Sequence, residues 1–483
     1  MSDARLAVHH GEPTPLPRDP NRNFLALGAG EAASRLIAFG ATVFLARAFG
    51  AEGYGVIAFA AGLALYAMKL ADFAMDYVGS AVIAGERGGT STDRIASVVL
   101  SARVGLAITV VAVATMVVRV AVPEPERTVL TWYFVALVPL AFNPKWVLLG
   151  LHDARAVGVI RVMGESVALA VVVLLVRSGT GLWAAPVAVG AGEALAAAAL
   201  LLVVRMKHVR VRPRWDLASA LPVFRRAAPV VGLSLLGLLL FNSGLFFLRA
   251  FRDREAVGYY AAAYTLIGFL SNVGLAYAMS LIPGLTHLGR GTKGELALYH
   301  RSLAQSVAVA LPVAAGAFLF SRQIIALAFG PGYSESAVAL AVLAWSIPLA
   351  TVRNVPLAAL IARGKQGLLV RATLFAAGGN IALNTALAAP FGVVGVTIAA
   401  VLTECLAGVL MLRYASREGL ELVSPSRLWR STLATAAMTI AVGALGRPTL
   451  AVGVPIGMSV YAIVLAAVGG IRFRGGPIPS LEV

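Results

Sequence analysis

The stretch Ile95-Ala-Ser-Val-Val-Leu-Ser-Ala-Arg103-Val-Gly-Leu-Ala-Ile-Thr-Val-Val-Ala-Val-Ala-Thr-Met-Val-Val118 holds one charged side chain, Arg103, over a length that crosses the roughly 30 Å hydrocarbon core of a bilayer as a helix. Comparable runs recur throughout the chain. They can be placed near 24–46, 55–84, 95–122, 129–151, 157–177, 182–204, 227–250, 256–282, 303–329, 337–362, 368–389, 392–414, 431–446 and 450–470, the run at 431–446 being the shortest. Lipid-exposed backbone must satisfy its own hydrogen bonds, so each run is expected as a helix. The pattern predicts an all-α, polytopic membrane protein of about fourteen transmembrane helices.

Composition agrees: of 483 residues 59% are apolar and 13% charged, and mean hydropathy is +0.84, more apolar surface than a soluble chain can hide. The net charge of +17 could suggest nucleic acid, but the basic residues mostly sit in short connections between apolar runs, and no nucleic-acid partner is expected. They read as topology signals. The connection between the sixth and seventh runs carries Arg205, Lys207, Arg210, Arg212, Arg214, Arg225 and Arg226, whereas its neighbours Ser178–Gly181 and Arg252–Glu255 are short and much less basic. That connection is expected on the cytoplasmic side, where it joins Arg87, Arg94, Arg155, Arg290, Lys293, Arg363, Lys365, Arg417, Arg427, Arg430, Arg472 and Arg474, with both termini inside. Residues 1–22, rich in proline and lacking an apolar signal segment, are expected as a disordered cytoplasmic tail. Cys405, inside an apolar run, is expected to be inert packing.

An internal echo divides the chain. Leu45-Ala-Arg47-Ala48-Phe49-Gly-Ala-Glu-Gly53-Tyr54-Gly55 after the first run is answered by Leu248-Arg249-Ala250-Phe251-Arg-Asp-Arg-Glu-Ala-Val-Gly258-Tyr259 after the seventh, unless short turn-rich loops agree by chance. The division expected is an amino-terminal six-helix lobe at 23–209, a second at 210–415 and two appended helices with a cytoplasmic tail at 416–483.

These stretches resemble the polysaccharide flippase family, within the superfamily that also holds MATE multidrug exporters and lipid II flippases. Arg47-Ala-Phe-Gly-Ala-Glu-Gly-Tyr-Gly55 is similar to the family's R-x-L-G-P-E-G-Y-G element. Leu148-Leu-Gly150-Leu-His-Asp-Ala-Arg155 is similar to its loop after span four, and Phe329-Gly330-Pro-Gly-Tyr333 to the element that opens span ten. Asn380-Ile-Ala-Leu-Asn384 followed by Ala389-Pro390-Phe-Gly392-Val-Val-Gly395 resembles N-x-x-x-N … I-P-x-x-G-x-x-G-A. Phe49 replaces the common Leu, and Val396-Thr397 replace two Ala. The resemblance covers nearly the whole chain. It implies two lobes in MATE-like pseudo-twofold arrangement, no enzymatic activity, a place in the bacterial cytoplasmic membrane, and translocation of a polyprenyl-diphosphate-linked oligosaccharide, with a polysaccharide polymerase and assembly proteins as partners.

Function is sought among charges at bilayer depth, each of which costs roughly 2.5–3.5 kcal/mol to insert unless it finds a cavity or partner. Glu31 and Arg35 share one helical face, as do Lys69, Asp72 and Asp76; Arg103, Arg161 with Glu165, Arg249 and Arg353 follow. A diphosphate leaving water needs cations, and Arg offers two-pronged donation, so Arg35, Lys69 and Arg249 are the expected contacts. Asp72 and Asp76 would tune them, bind sugar hydroxyls or take up a coupling ion, proton or sodium. The alternative is that Glu31 with Arg35 and Arg161 with Glu165 are intrahelical pairs and that Lys69 neutralises Asp72 or Asp76. Arg119, Lys145, Arg177 and Arg205 sit at span ends, where snorkelling explains them.

Other patterns are set aside. Gly28-Ala-Gly30-Glu-Ala-Ala33 matches a dinucleotide fingerprint but lacks any βαβ context, so Gly28 and Gly30 are read as helix-packing positions. The six His are dispersed or terminal, so no metal site is expected, and no cofactor or P-loop is present. An ion-coupled exporter of cationic drugs or a lipid II flippase would use the same architecture. A membrane sugar polymerase or glycosyltransferase would need a sizeable outward loop, and every outward loop expected here is short.

Overall fold

A computed structural model describes residues 20–86, 90–421, 425–446, 448–472 and 480–481; the expected tail up to residue 19, Arg87 and Arg474 lie outside them. In chain order the helices are α1 (Pro20–Asp72), α2 (Val78–Ala84), α3 (Thr90–Ala121), α4 (Glu126–Ala141), α5 (Lys145–Gly150), α6 (Ala154–Arg177), α7 (Ala184–Met206), α8 (Leu217–Phe251) and α9 (Arg254–Ser280). They continue as α10 (Ile282–Leu288), α11 (Lys293–Leu319), α12 (Ser321–Ala328), α13 (Ser336–Leu343), α14 (Ser346–Ala362), α15 (Gln366–Arg417), α16 (Pro425–Ala444) and α17 (Leu450–Ala467). Aspartates open three of them: Asp153, Asp216 and Asp253 each accept the backbone N–H three residues on, and Thr292 does the same for α11.

Among the described residues, eleven helical segments are long and apolar enough to cross a membrane. Two of these are breaks disguised as single helices. At 52 and 53 residues, α15 and α1 would each run about 80 Å if straight, more than twice a bilayer core. Gly50 (φ 67°, ψ −177°) and Gly392 (φ 53°, ψ −129°) interrupt them with backbone conformations open to glycine. The interruption in α15 therefore sits at Gly392, two residues beyond Pro390, which remains within the helix. Counting each arm as one pass and adding the less apolar α16, the path follows the expected runs.

The arms of α1 with α2–α7 form the first lobe, around Trp146, Ile83, Ile160 and Leu200 on one side and Val56, Leu130 and Phe134 on another. Helices α9–α15 form the second. Helix α8 belongs to both: Val223 and Ala227 enter the first lobe's core and Phe224 meets Phe73 at 5.0 Å, whereas Leu245 and Leu248 join the second. Helices α16 and α17 pack outside, on α11, where the Tyr461 hydroxyl donates to the Ala308 carbonyl. Gly30 meets the backbone of Gly158 as a packing glycine should, but Gly28 faces open space. Cys405 is exposed on α15, not packed inside as expected, because its side of the helix meets no neighbour in the fold.

The repeat suspected in the sequence is a spatial one. A Cβ on Gly55 would lie 1.9 Å from the Arg254 carbonyl oxygen, and one on Gly258 would lie 1.9 Å from that of Ala51. Each repeat thus places its glycine against the backbone of the other, reciprocally, as an approximate twofold relation requires.

Candidate functional site

The lobes are fastened at one face. There the Tyr333 hydroxyl donates to the Ala46 carbonyl at 2.8 Å, Arg47 donates to the carbonyls of Leu327 and Ala328, and Tyr54 bonds Thr265 at 3.1 Å. Glu126, 1% exposed at the start of α4, receives Arg249 at 2.8 Å and Arg254 at 2.9 and 3.0 Å, both from the other side of the seam. Ala46, Ala51 and Tyr54 belong to the same apolar core as Leu248, Val257, Tyr260 and Tyr333. This fastening lies at the Gly50 break of α1 and the Arg254 end of α9, opposite the basic connections.

Toward the basic face the lobes diverge. Helix α9 is buried at Val257, Tyr260, Ala262, Ala263 and Ile267, yet farther along it Asn272, Val273, Leu275, Ala276 and Tyr277, spread over about half of the circumference, are exposed, with Ala278 still buried on the opposite side. In α1, Phe39 still contacts Phe269 of α9, and Arg35, one turn nearer the basic face on the same side, is exposed. On the second arm, Gly62 and Tyr66 face Phe246 of α8. Lys69, three residues on from Tyr66, continues that face, is exposed and forms no ion pair with a described residue. Arg35 and Lys69 therefore continue, toward the basic face, the sides of the two α1 arms that meet α9 and α8.

The other candidates are partnered, as Arg35 is with Glu31. Arg103, 1% exposed, donates to Asp72 at 2.7 Å and to the carbonyls of Asn143 and Leu140, bracing α3 against α1 and α4. Asp76 takes Lys145 at 2.7 Å, so Lys145 does not snorkel as its span-end position suggested. Glu31 is shared by Arg35 at 2.9 Å and Arg161 at 3.1 Å, which ties α1 to α6 rather than closing Arg161 on its own helix. Arg353 pairs with Glu404 at 2.9 Å inside the second lobe, and Arg249 belongs to the far-face fastening, away from Arg35 and Lys69.

A cavity of about 380 Å³ lies within the first lobe, with Lys145, Arg161, Glu165 and Glu193 among mostly apolar walls. Its acids are placed by a helix crossing: Gly164 and Gly192 let α6 and α7 approach backbone to backbone, and the next residue on each is the glutamate. Neither glutamate forms an ion pair among the described residues. No cluster able to hold a metal occurs among them either.

A family model described as polysaccharide biosynthesis protein matches residues 21–288, more than half of the chain. The chain belongs to this polysaccharide biosynthesis family. A second model, for the lipid II flippase MurJ, matches residues 162–456, and both families fall within the multidrug/oligosaccharidyl-lipid/polysaccharide superfamily. A curated relative, "Probable low-salt glycan biosynthesis flippase Agl15" of Haloferax volcanii, is 26% identical over 168 residues, 34% of this chain and 36% of that protein, so the match spans about a third of the relative's length. Among solved structures, lipid II flippase MurJ in an inward closed conformation superposes with a TM-score of 0.78 at 12% identity, covering 92% of this chain and 98% of its own. An inward-facing MATE multidrug resistance transporter gives 0.64 at 14% identity, covering 82% and 98%. These two likenesses speak for the fold.

Part of the family likeness lies in this fastening: Tyr54 meets Phe329 and Tyr333, Arg47 donates to the carbonyls just before Phe329, and Arg252 donates to the Ala389 and Pro390 carbonyls beside Gly392, whereas Leu148 packs in the first lobe's core and Asn380 bonds Ser243 and Thr403. Three acids of these sites escaped the sequence reading. Glu126 sits at a span end, where a charge draws no notice, and Glu404 and Glu193 were lone acids in apolar runs that could have been flagged by their depth alone.

Proposed function

We propose that this member of the polysaccharide biosynthesis family is a flippase that carries a polyprenyl-diphosphate-linked oligosaccharide across the bacterial cytoplasmic membrane, from a cytoplasmic basic face to the outside, by alternating access. The observation that carries the reading is the fastening of the two lobes at the face opposite the basic connections, together with the exposure of Arg35 and Lys69 on the α1 sides that meet α9 and α8. A diphosphate must exchange water for fixed cations on entering the membrane, and only an opening to the side where the lipid carrier is loaded can admit it. Arg35 and Lys69 bind the diphosphate. The pairs Arg103–Asp72 and Lys145–Asp76 hold the wall that presents them, and polymerase and assembly proteins are the partners that would receive the product. Rupture of the Glu126 ion pairs and of the Tyr333–Ala46 bond opens the outer face.

Flipping of a labelled polyprenyl-diphosphate oligosaccharide by the reconstituted protein, lost in Arg35→Ala and Lys69→Ala, tests this reading; no flipping of any such lipid refutes it. One observation favours an exporter of cationic amphiphiles: the largely apolar cavity with Glu165 and Glu193 suits a cation. Ion-driven export of a cationic dye, blocked by Glu165→Gln, would establish that reading instead.

A further inference from the structure

Between α7 and α8 the chain runs extended, and its arginines are held in a fixed row. The backbone N–H of Arg210 donates to Asp93 Oδ1 at 2.8 Å, that of Arg212 to Ser97 Oγ at 3.0 Å and that of Arg214 to Ser101 Oγ at 2.8 Å. Asp93, Ser97 and Ser101 are four apart and share one face of α3, so every second residue of the connection is pinned to successive turns of one helix. Val209, just before the row, and Val211, within it, turn inward into the first lobe's core. Arg210, Arg212 and Arg214 turn outward, exposed, about 6.6 Å apart by the rise of an extended chain.

Arg205, His208, Arg210 and Arg212 surround a pocket of about 350 Å³ with no acid in its wall. None of Arg205, Arg210, Arg212 and Arg214 forms an ion pair with a described residue. Immediately beyond the row, Trp215 lies across Gly105 of α3 and is 71% exposed, and Leu217 is 73% exposed. An exposed Trp and Leu next to a basic row mark the level where headgroups give way to acyl chains.

A topology signal requires charge alone and no particular geometry. Here two buried serines, at 5% and 8% exposure, and an aspartate fix the spacing of the cations, which demands another explanation. We propose that the connection 205–214 is a binding site for anionic phospholipid headgroups of the leaflet at the basic face, their phosphates lodging between successive guanidiniums and in the adjoining pocket while their chains lie along Trp215 and Leu217.

The test is native mass spectrometry of the full-length protein, titrated with phosphatidylglycerol or phosphatidylcholine, for the wild type and three variants. Wild type should retain phosphatidylglycerol in preference. Arg210→Gln/Arg212→Gln/Arg214→Gln should lower that retention ~100-fold, at about fivefold for each basic residue near a membrane surface. Arg371→Gln/Arg413→Gln/Arg417→Gln, which removes equal charge from other exposed arginines, should leave it within a few-fold. Ser97→Ala/Ser101→Ala, which removes no charge but releases the backbone, should weaken it several-fold. Equal losses in the two arginine triples, an unchanged preference in the serine variant, or displacement of phosphatidylglycerol by millimolar pyrophosphate would each overturn the proposal.

Discussion

Glu126→Gln should open the far face. The carboxylate is 1% exposed and accepts three charged hydrogen bonds, one from Arg249 and two from Arg254, whose side chains are 27% and 28% exposed. Removing one partner of a buried pair costs about 3–5 kcal/mol. The arginines retain partial contact with water and Arg254 keeps its bond to the Glu124 carbonyl, so the lower figure applies. About 3 kcal/mol lost from the fastened state alone shifts the equilibrium between fastened and open by roughly two orders of magnitude, enough to bring a state at one per cent to near parity. Spin labels at Thr128→Cys and Ser334→Cys, exposed positions on either side of the seam, in a Cys405→Ser background would read it by double electron–electron resonance. The wild type should give one short distance and Glu126→Gln a second, longer one of comparable weight. An unchanged distance distribution in Glu126→Gln would refute the assignment of this carboxylate as the outer fastening.

Gly55→Ala and Gly258→Ala each put a methyl group 1.9 Å from a backbone carbonyl of the other repeat, so both should lower the thermal midpoint of the solubilised protein by several degrees or prevent its recovery. Glu404→Gln, leaving Arg353 without its partner in the second lobe, should destabilise by about 3 kcal/mol, and Glu404→Gln/Arg353→Gln should recover most of that loss in a double-mutant cycle followed by thermal unfolding. Outside the spans, the hydrogen bond from Lys365 holds the Glu418 carboxyl below the usual carboxylate range, against the opposing effect of burial and with help from Arg290 and Arg363. A depressed native value means the contribution is present above the unfolded carboxylate range near pH 4 and disappears as pH falls through the native value. Melting between pH 5 and 2 should therefore show a step that Glu418→Gln removes.

The spans were legible because apolar length is a one-dimensional property: the run around Arg103 needs no partner to be recognised. The runs also bracket the two breaks: Gly50 lies between the first and second, and Gly392 opens the run that begins at 392, each inside a stretch that carries the family likeness. Pairing between helices was a different matter. Helical spacing places Glu31 beside Arg35 but says nothing of Arg161, which arrives on α6 more than a hundred residues later. Nor does it show that Asp72 meets Arg103 and leaves Lys69 to the cleft. Arg249 resembled the other candidates in sequence because both faces of a membrane protein begin and end with the same residue types; only Glu126, across the lobe seam, assigns it to the fastening.

In the proposed mechanism, cations on the cleft walls draw an anionic lipid-linked glycan across the membrane. This mechanism is tested most directly by flipping of a fluorescent polyprenyl-diphosphate oligosaccharide in proteoliposomes, with the wild type, Lys69→Ala, Lys69→Arg and Arg249→Ala compared at matched incorporation. Lys69→Ala should reduce translocation at least tenfold, Lys69→Arg should restore it, and Arg249→Ala should alter the distance distribution across the far face more than the affinity for the lipid. Translocation by Lys69→Ala at the wild-type rate, with the lipid's diphosphate essential for transport, would contradict the mechanism.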